Sequence, residues 1–134
     1  MSADAKVTLA WFDGEDDFRL GIGEIRALQE KTGAGPSTLR RRLISGDWFI
    51  DDVRETIRLG LIGAGLSPGE ALAKVRRGVD NRPFGEAVVL AATIIAAAVV
   101  GVPNDPVGKA PAEETETEAT GASSSPQSTE QERP

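Results

Sequence analysis

The chain has 134 residues, of which 40% are hydrophobic, and a formal net charge of −6. It contains neither Cys nor His, so disulfides, thiolate chemistry, a zinc site and a Ser-His-Asp triad cannot be built from it alone. Residues 1–102 carry 13 basic against 14 acidic residues, net −1, and residues 103–134 carry 2 against 7, net −5. The folded part therefore has no basic field of the kind that drives nucleic-acid binding, and the acidic end opposes it. With no n-region and h-region before a cleavage site at the N-terminus, the sequence reads as cytoplasmic.

Val7-Thr8-Leu9-Ala10-Trp11-Phe12 and Phe18-Arg19-Leu20-Gly21-Ile22 flank Asp13-Gly14-Glu15-Asp16-Asp17. Val7, Leu9 and Trp11 share one face of the first run, and Phe18, Leu20 and Ile22 share one face of the second, which predicts a β-hairpin turning in the acidic stretch. An isolated hairpin is marginal in water, so its apolar face should rest on the helices that follow. Ile25 and Leu28 recur at helical spacing between Glu24 and Thr32, with Gly33 as the stop. Ser37 is placed to cap a second helix with Leu39 and Leu43 inward, Arg40-Arg41-Arg42 outward on a solvated face, and Gly46 at its end.

Asp51 or Asp52 can cap a third helix whose stripe is Ile50, Val53, Ile57, Leu61 and Ala64. Leu59, Ile62 and Leu66 form a second apolar line, so this helix should be sandwiched, with Gly60 and Gly63 admitting close approach of another backbone. Ser67-Pro68-Gly69-Glu70 is a capping box with Pro at the first helical position, opening a fourth helix with Ala71, Leu72, Val75 and Val79 inward and a Glu70–Lys74 pair outside. Pro83 starts a last helix, and residues 87–102 are uncharged, rich in Ala, Val and Ile. That run is short for a membrane span, which needs about 20 residues, and reads as a helix buried in the domain or against a partner. Beyond Pro103, no large aliphatic residue follows Val107, so residues 103–134 are expected to be a disordered Pro/Ser/Thr/Glu-rich acidic tail.

The chemical motifs are weak. Gly21-Ile22-Gly23 lacks the third glycine of a dinucleotide loop, where Arg26 stands, and Gly60-Leu61-Ile62-Gly63-Ala64-Gly65 lacks the Lys-Ser/Thr of a phosphate loop. Asp13, Glu15, Asp17 and Glu24 match positions 1, 3, 5 and 12 of a calcium loop, but Phe18 replaces the glycine of the sharp turn. The expectation is an α+β, mostly α fold: an N-terminal hairpin, then a bundle of four to five helices over residues 1–102. It is expected to lack catalytic, cofactor-binding and metal-binding residues.

With the elements in order, the pattern resembles the small tail proteins of gene transfer agents and related siphophage-type tails, a family of tail assembly chaperones. The resemblance spans about residues 5–101 and rests most on Leu20-Gly21-Ile22-Gly23-Glu24-Ile25-Arg26-Ala27-Leu28-Gln29-Glu30 and Ile57-Arg58-Leu59-Gly60-Leu61-Ile62-Gly63-Ala64-Gly65. It implies a non-enzymatic protein that coats the hydrophobic helical tape-measure protein until tube subunits polymerise around it, with other tail proteins and further copies of itself as partners. Leu59, Ile62, Leu66, Leu90, Ile94 and Ile95 are the expected partner-binding residues. The alternatives are a structural minor tail component, or a small membrane-anchored protein using residues 87–102; a tube subunit is expected to be mainly β.

Overall fold

The computed structural model describes residues 5–101. Two antiparallel strands, β1 (Val7–Trp11) and β2 (Gly14–Phe18), are followed by α1 (Ile22–Thr32), α2 (Pro36–Ser45), α3 (Ile50–Gly63), α4 (Pro68–Val75) and α5 (Gly85–Val100). The predicted hairpin followed by helices is therefore the observed fold. The tail predicted for residues 103–134 lies outside the described residues.

The hairpin turns earlier than its composition implies. Trp11 pairs with Gly14 and Val7 with Phe18, so Phe12 and Asp13 alone form the connection and the acidic residues make up the second strand. Gly14, at φ 135°, takes the left-handed strain of the tight connection. Alternation survives because the carboxylates occupy the wet positions: Glu15 and Asp17 are exposed while Phe18 is fully buried. Leu20 is buried in the segment after β2, whereas Ile22, expected on the strand face, opens α1 and is 71% exposed.

Three helix starts differ from expectation in the same way: backbone geometry, rather than a hydroxyl or carboxylate at the cap itself, begins the helix. Gly35, not Ser37, caps α2, with Pro36 in the first turn where its missing N–H costs nothing. Phe49 caps α3, and Asp52 reaches back from the third helical position to accept the Phe49 N–H at 2.9 Å. Phe84 caps α5, two residues before Glu86 and one after Pro83. Ser67 does cap α4, accepting the Glu70 N–H at 3.3 Å. Gly33 and Gly46 close α1 and α2 at φ 71° and 95°.

α3 is the central element, packed by β2, α1, α2, α4 and α5. Val53 and Ile57 are fully enclosed, as are Phe18 from β2, Val75 from α4 and Ile95 from α5. Where α4 ends, the chain widens into one π-helical turn, Arg76–Asp80. A side chain at Gly78 would run into the rings of Trp11 and Phe12, so this turn seats the hairpin's aromatic end on the bundle. Arg54 of α3 holds the turn from the other side, donating from Nε and Nη2 to the two Asp80 carboxylate oxygens at 2.8 and 3.0 Å.

No helix among the described residues is long and apolar enough to cross a membrane. The uncharged run is instead spent on the core: Ala87, Leu90, Ala91, Ile94, Ile95 and Ala97 face inward along α5.

Candidate protein-binding surface

The two stretches that carry the family resemblance meet in space. The segment between β2 and α1 crosses the end of α3, where the Arg19 N–H donates to the Gly60 carbonyl at 2.9 Å. A Cβ on Gly63 would overlap the Arg19 carbonyl oxygen, and one on Gly60 would stand 3.3 Å from Ile94 and 3.4 Å from Phe18. The close backbone approach expected at these glycines is thus real, and the partner backbone is the chain's own. Glu24 completes the crossing by accepting the Gly21 N–H at 2.9 Å.

Of the six residues expected to bind a partner, four are enclosed by the domain itself. Leu59 and Leu90 are 6% exposed, Ile94 1% and Ile95 0%. They form core because α3 is packed by α1, α4 and α5 and α5 by α2 and α3, which together cover more apolar surface than the sequence pattern alone implies. Ile62 and Leu66 are half-buried against the same core, and Leu66 borders a groove shared with Leu61 and the acidic β2 residues Glu15, Asp16 and Asp17.

Among the described residues the exposed large apolar residues are Ile22, Ile44, Val89, Val99 and Val100, which are aliphatic, and a group with aromatics at the α2–α3 connection and the start of α5. Phe49 is 67% exposed, and Phe84 and Ile50 are also open to solvent. Trp48 meets Phe84 edge to face, with ring centroids 6.2 Å apart. Of the six aromatic residues in the chain, this corner holds three, and single exposed aliphatics are ordinary whereas grouped aromatics are not. Ile44, exposed near the end of α2, precedes the corner by four residues.

The corner is held in place by buried charge. Asp52 is 1% exposed on its side chain and takes both the Phe49 N–H and Arg42 Nη1, the latter at 3.3 Å. Arg42, predicted to face solvent with Arg40 and Arg41, instead turns inward and lies over the Phe49 ring with its guanidinium carbon 5.3 Å from the centroid. Arg41 is exposed. The signal that sequence reading passed over is the pair Trp48-Phe49 in a connection: two large aromatics where a polar turn residue is the norm.

Of the four acidic residues at calcium-loop spacing, Glu15 is exposed on β2 and the other three are engaged with different partners. Asp13 accepts from Lys74 Nζ at 2.8 Å, Asp17 accepts from the Thr8 hydroxyl, and Glu24 caps α1. Among the described residues no group of three or more such side chains is placed to hold a metal ion.

Lys74 bridges Asp13 and Asp16, at 2.8 and 3.3 Å, rather than pairing with Glu70 as the helical spacing predicts. Its hydrogen bond holds the Asp13 carboxyl below its ordinary 3.8. Burial by itself lowers the Lys74 pKa, but the hydrogen bonds to Asp13 and Asp16 outweigh it and the net direction is up from 10.5. The lowered carboxyl stabilises the fold above its unfolded pKa, and that contribution is lost as pH falls through the folded value; the raised amine loses its contribution only above pH 10.5. Lys74→Met is therefore expected to cost about 1 kcal/mol across pH 5–9, with the difference shrinking below pH 4, as measured by urea unfolding at a series of pH values.

A family model described as "Phage tail tube protein, GTA-gp10" matches residues 4–101. No curated protein and no solved structure matches the chain.

Proposed function

Because the chain belongs to the family described as phage tail tube protein, GTA-gp10, we propose that it serves the assembly of a phage-like tail of a gene transfer agent by binding the hydrophobic helical tape-measure protein. Membership gives it a tail-related structural role and makes other tail proteins its natural partners. The observation that supports the finer reading is the corner where exposed Phe49, Ile50 and Phe84 surround a half-buried Trp48, on a helical domain with its own core. Aromatic side chains backed by an Arg are the residue types that dominate protein interfaces, and an exposed aromatic and aliphatic group can receive the apolar stripe of a partner helix. This reading needs no catalytic step, and it assigns the buried Asp52 to the fold, where it accepts the Phe49 N–H and pairs with Arg42.

The family description favours a second reading, a subunit of the tube wall. Against it stands the balance of structure among the described residues, one two-stranded sheet beside five α-helices. The two readings separate in the purified protein viewed by negative-stain electron microscopy. A chaperone stays in small species and is found in complex with co-expressed tape-measure protein; a tube subunit forms tubes or rings and leaves the tape-measure protein insoluble.

A further inference from the structure

The two free edges of the hairpin are unlike. A groove of about 360 Å³ is lined by Leu9 and Ala10 of β1 and by Glu86, Val89, Leu90 and Thr93 of α5. Adjacent strand residues point to opposite faces, so a groove bordered by both Leu9 and Ala10 runs along the edge of β1. The other edge of β1 is taken by β2, and among the described residues no further strand pairs with it. Val89, 67% exposed, forms an apolar floor beside this edge.

Strand edges are normally blunted by charge, proline or a bulge, because unpaired backbone groups recruit another strand. The β2 edge is blunted: its groove is lined by Glu15, Asp16 and Asp17. The β1 edge is not, since Val7-Thr8-Leu9-Ala10-Trp11 contains no charge and no proline.

We propose that β1 pairs antiparallel with β1 of a second copy, giving a four-stranded sheet across a two-fold axis near Leu9. In this register Leu9 faces Leu9, Thr8 faces Ala10 and Val7 faces Trp11, so no charged strand residues oppose one another, and Glu86 in the same groove is exposed and paired with Arg82 at 2.9 Å. Lys6 of each copy comes beside the Phe12-Asp13 turn of the other, where both charges are balanced within their own chain, Lys6 by Asp17 at 3.6 Å and Asp13 by Lys74 at 2.8 Å, whereas a parallel pairing aligns Lys6 with Lys6. A β1-to-β2 contact is disfavoured because it sets Glu15, Asp16 and Asp17 of one copy against the groove that holds Glu86 of the other. The pairing is isologous and so closes as a dimer.

Sedimentation velocity of the full chain, from about 1 to about 100 μM, tests the pairing. The expected result is a concentration-dependent dimer. Thr8→Lys with Ala10→Lys, which sets like charges opposite one another, and Val89→Glu separately, should each raise the dimer Kd at least about tenfold. Thr8, Ala10 and Val89 are exposed, so the circular dichroism spectrum of each variant should be unchanged. Phe49→Ser should leave the dimer intact. A chain that remains monomeric over the whole range overturns the inference. So does a dimer that survives the edge substitutions, or one lost on Phe49→Ser alone, which would move the contact to the aromatic corner.

Discussion

Gly63→Ala is expected to lower the unfolding free energy by at least about 3 kcal/mol, read from the urea midpoint of the full chain. Helix propensity alone predicts the opposite sign, since Ala is favoured over Gly in a helix interior by about 1 kcal/mol. The clash decides the outcome, because the added methyl overlaps the Arg19 carbonyl oxygen and a backbone atom cannot rotate away. Relief requires lifting the β2–α1 segment off α3, which breaks the Arg19–Gly60 hydrogen bond and opens the core above Phe18. Gly60→Ala is the control in the same helix: its methyl meets only the side chains of Ile94 and Phe18 at 3.3–3.4 Å, so the expected change is under about 1 kcal/mol. Equal effects at the two sites would show that the crossing is not held by backbone contact at Gly63.

The second large effect concerns the partner. Phe49→Ser combined with Phe84→Ser is expected to weaken binding of the tape-measure protein by about thirtyfold or more, the loss of a central interface anchor, while changing stability by about 1 kcal/mol or less. Phe49 is 67% exposed and stacks only with Arg42, so its removal leaves the core intact. Ile62→Asp is the contrasting substitution. Ile62 is half-buried against the core, so that variant is expected to lose stability and binding together, and a circular dichroism melt separates the two cases.

Much of the fold was legible from spacing. Of the stripe Ile50, Val53, Ile57, Leu61 and Ala64 on α3 the middle three are buried, as are Leu39 and Leu43 on α2, whereas Ile50 at the start of α3 is open to solvent and Ala64 at its end is half-buried. Glycine stops at Gly33 and Gly46, and the Ser67-Pro68 start, rest on local chemistry that packing does not override. The second strand was hidden because Glu15, Asp16 and Asp17 read as a turn, and only pairing with Ala10, Leu9 and Thr8 makes them a strand. The π-helical turn has no local signature; it arises where Gly78 must clear Trp11 and Phe12.

The binding surface was less legible, for a physical reason. Sequence periodicity ranks residues by how apolar a helix face is, so Leu90, Ile94 and Ile95 stood out as surplus, yet α5, packed by α2 and α3, spends them on the core. The exposed aromatics sit in connections and caps, where Phe49 and Phe84 break no periodic pattern, while the other open apolar residues, such as Ile44, Val89 and Val100, are aliphatic and lie within helices. The glycine crossing that drew attention in the sequence serves the fold, and the aromatic corner at the opposite end of α3 serves the proposed contact.

The most direct measurement is co-expression of the full chain with the tape-measure protein, followed by affinity capture and quantification of both chains in the soluble fraction. The expected result is a soluble complex with the unsubstituted chain and its loss with Phe49→Ser/Phe84→Ser, whose melt matches the parent. A tape-measure protein that stays insoluble beside the folded, unsubstituted chain, or one captured equally by the doubly substituted chain, would contradict the account.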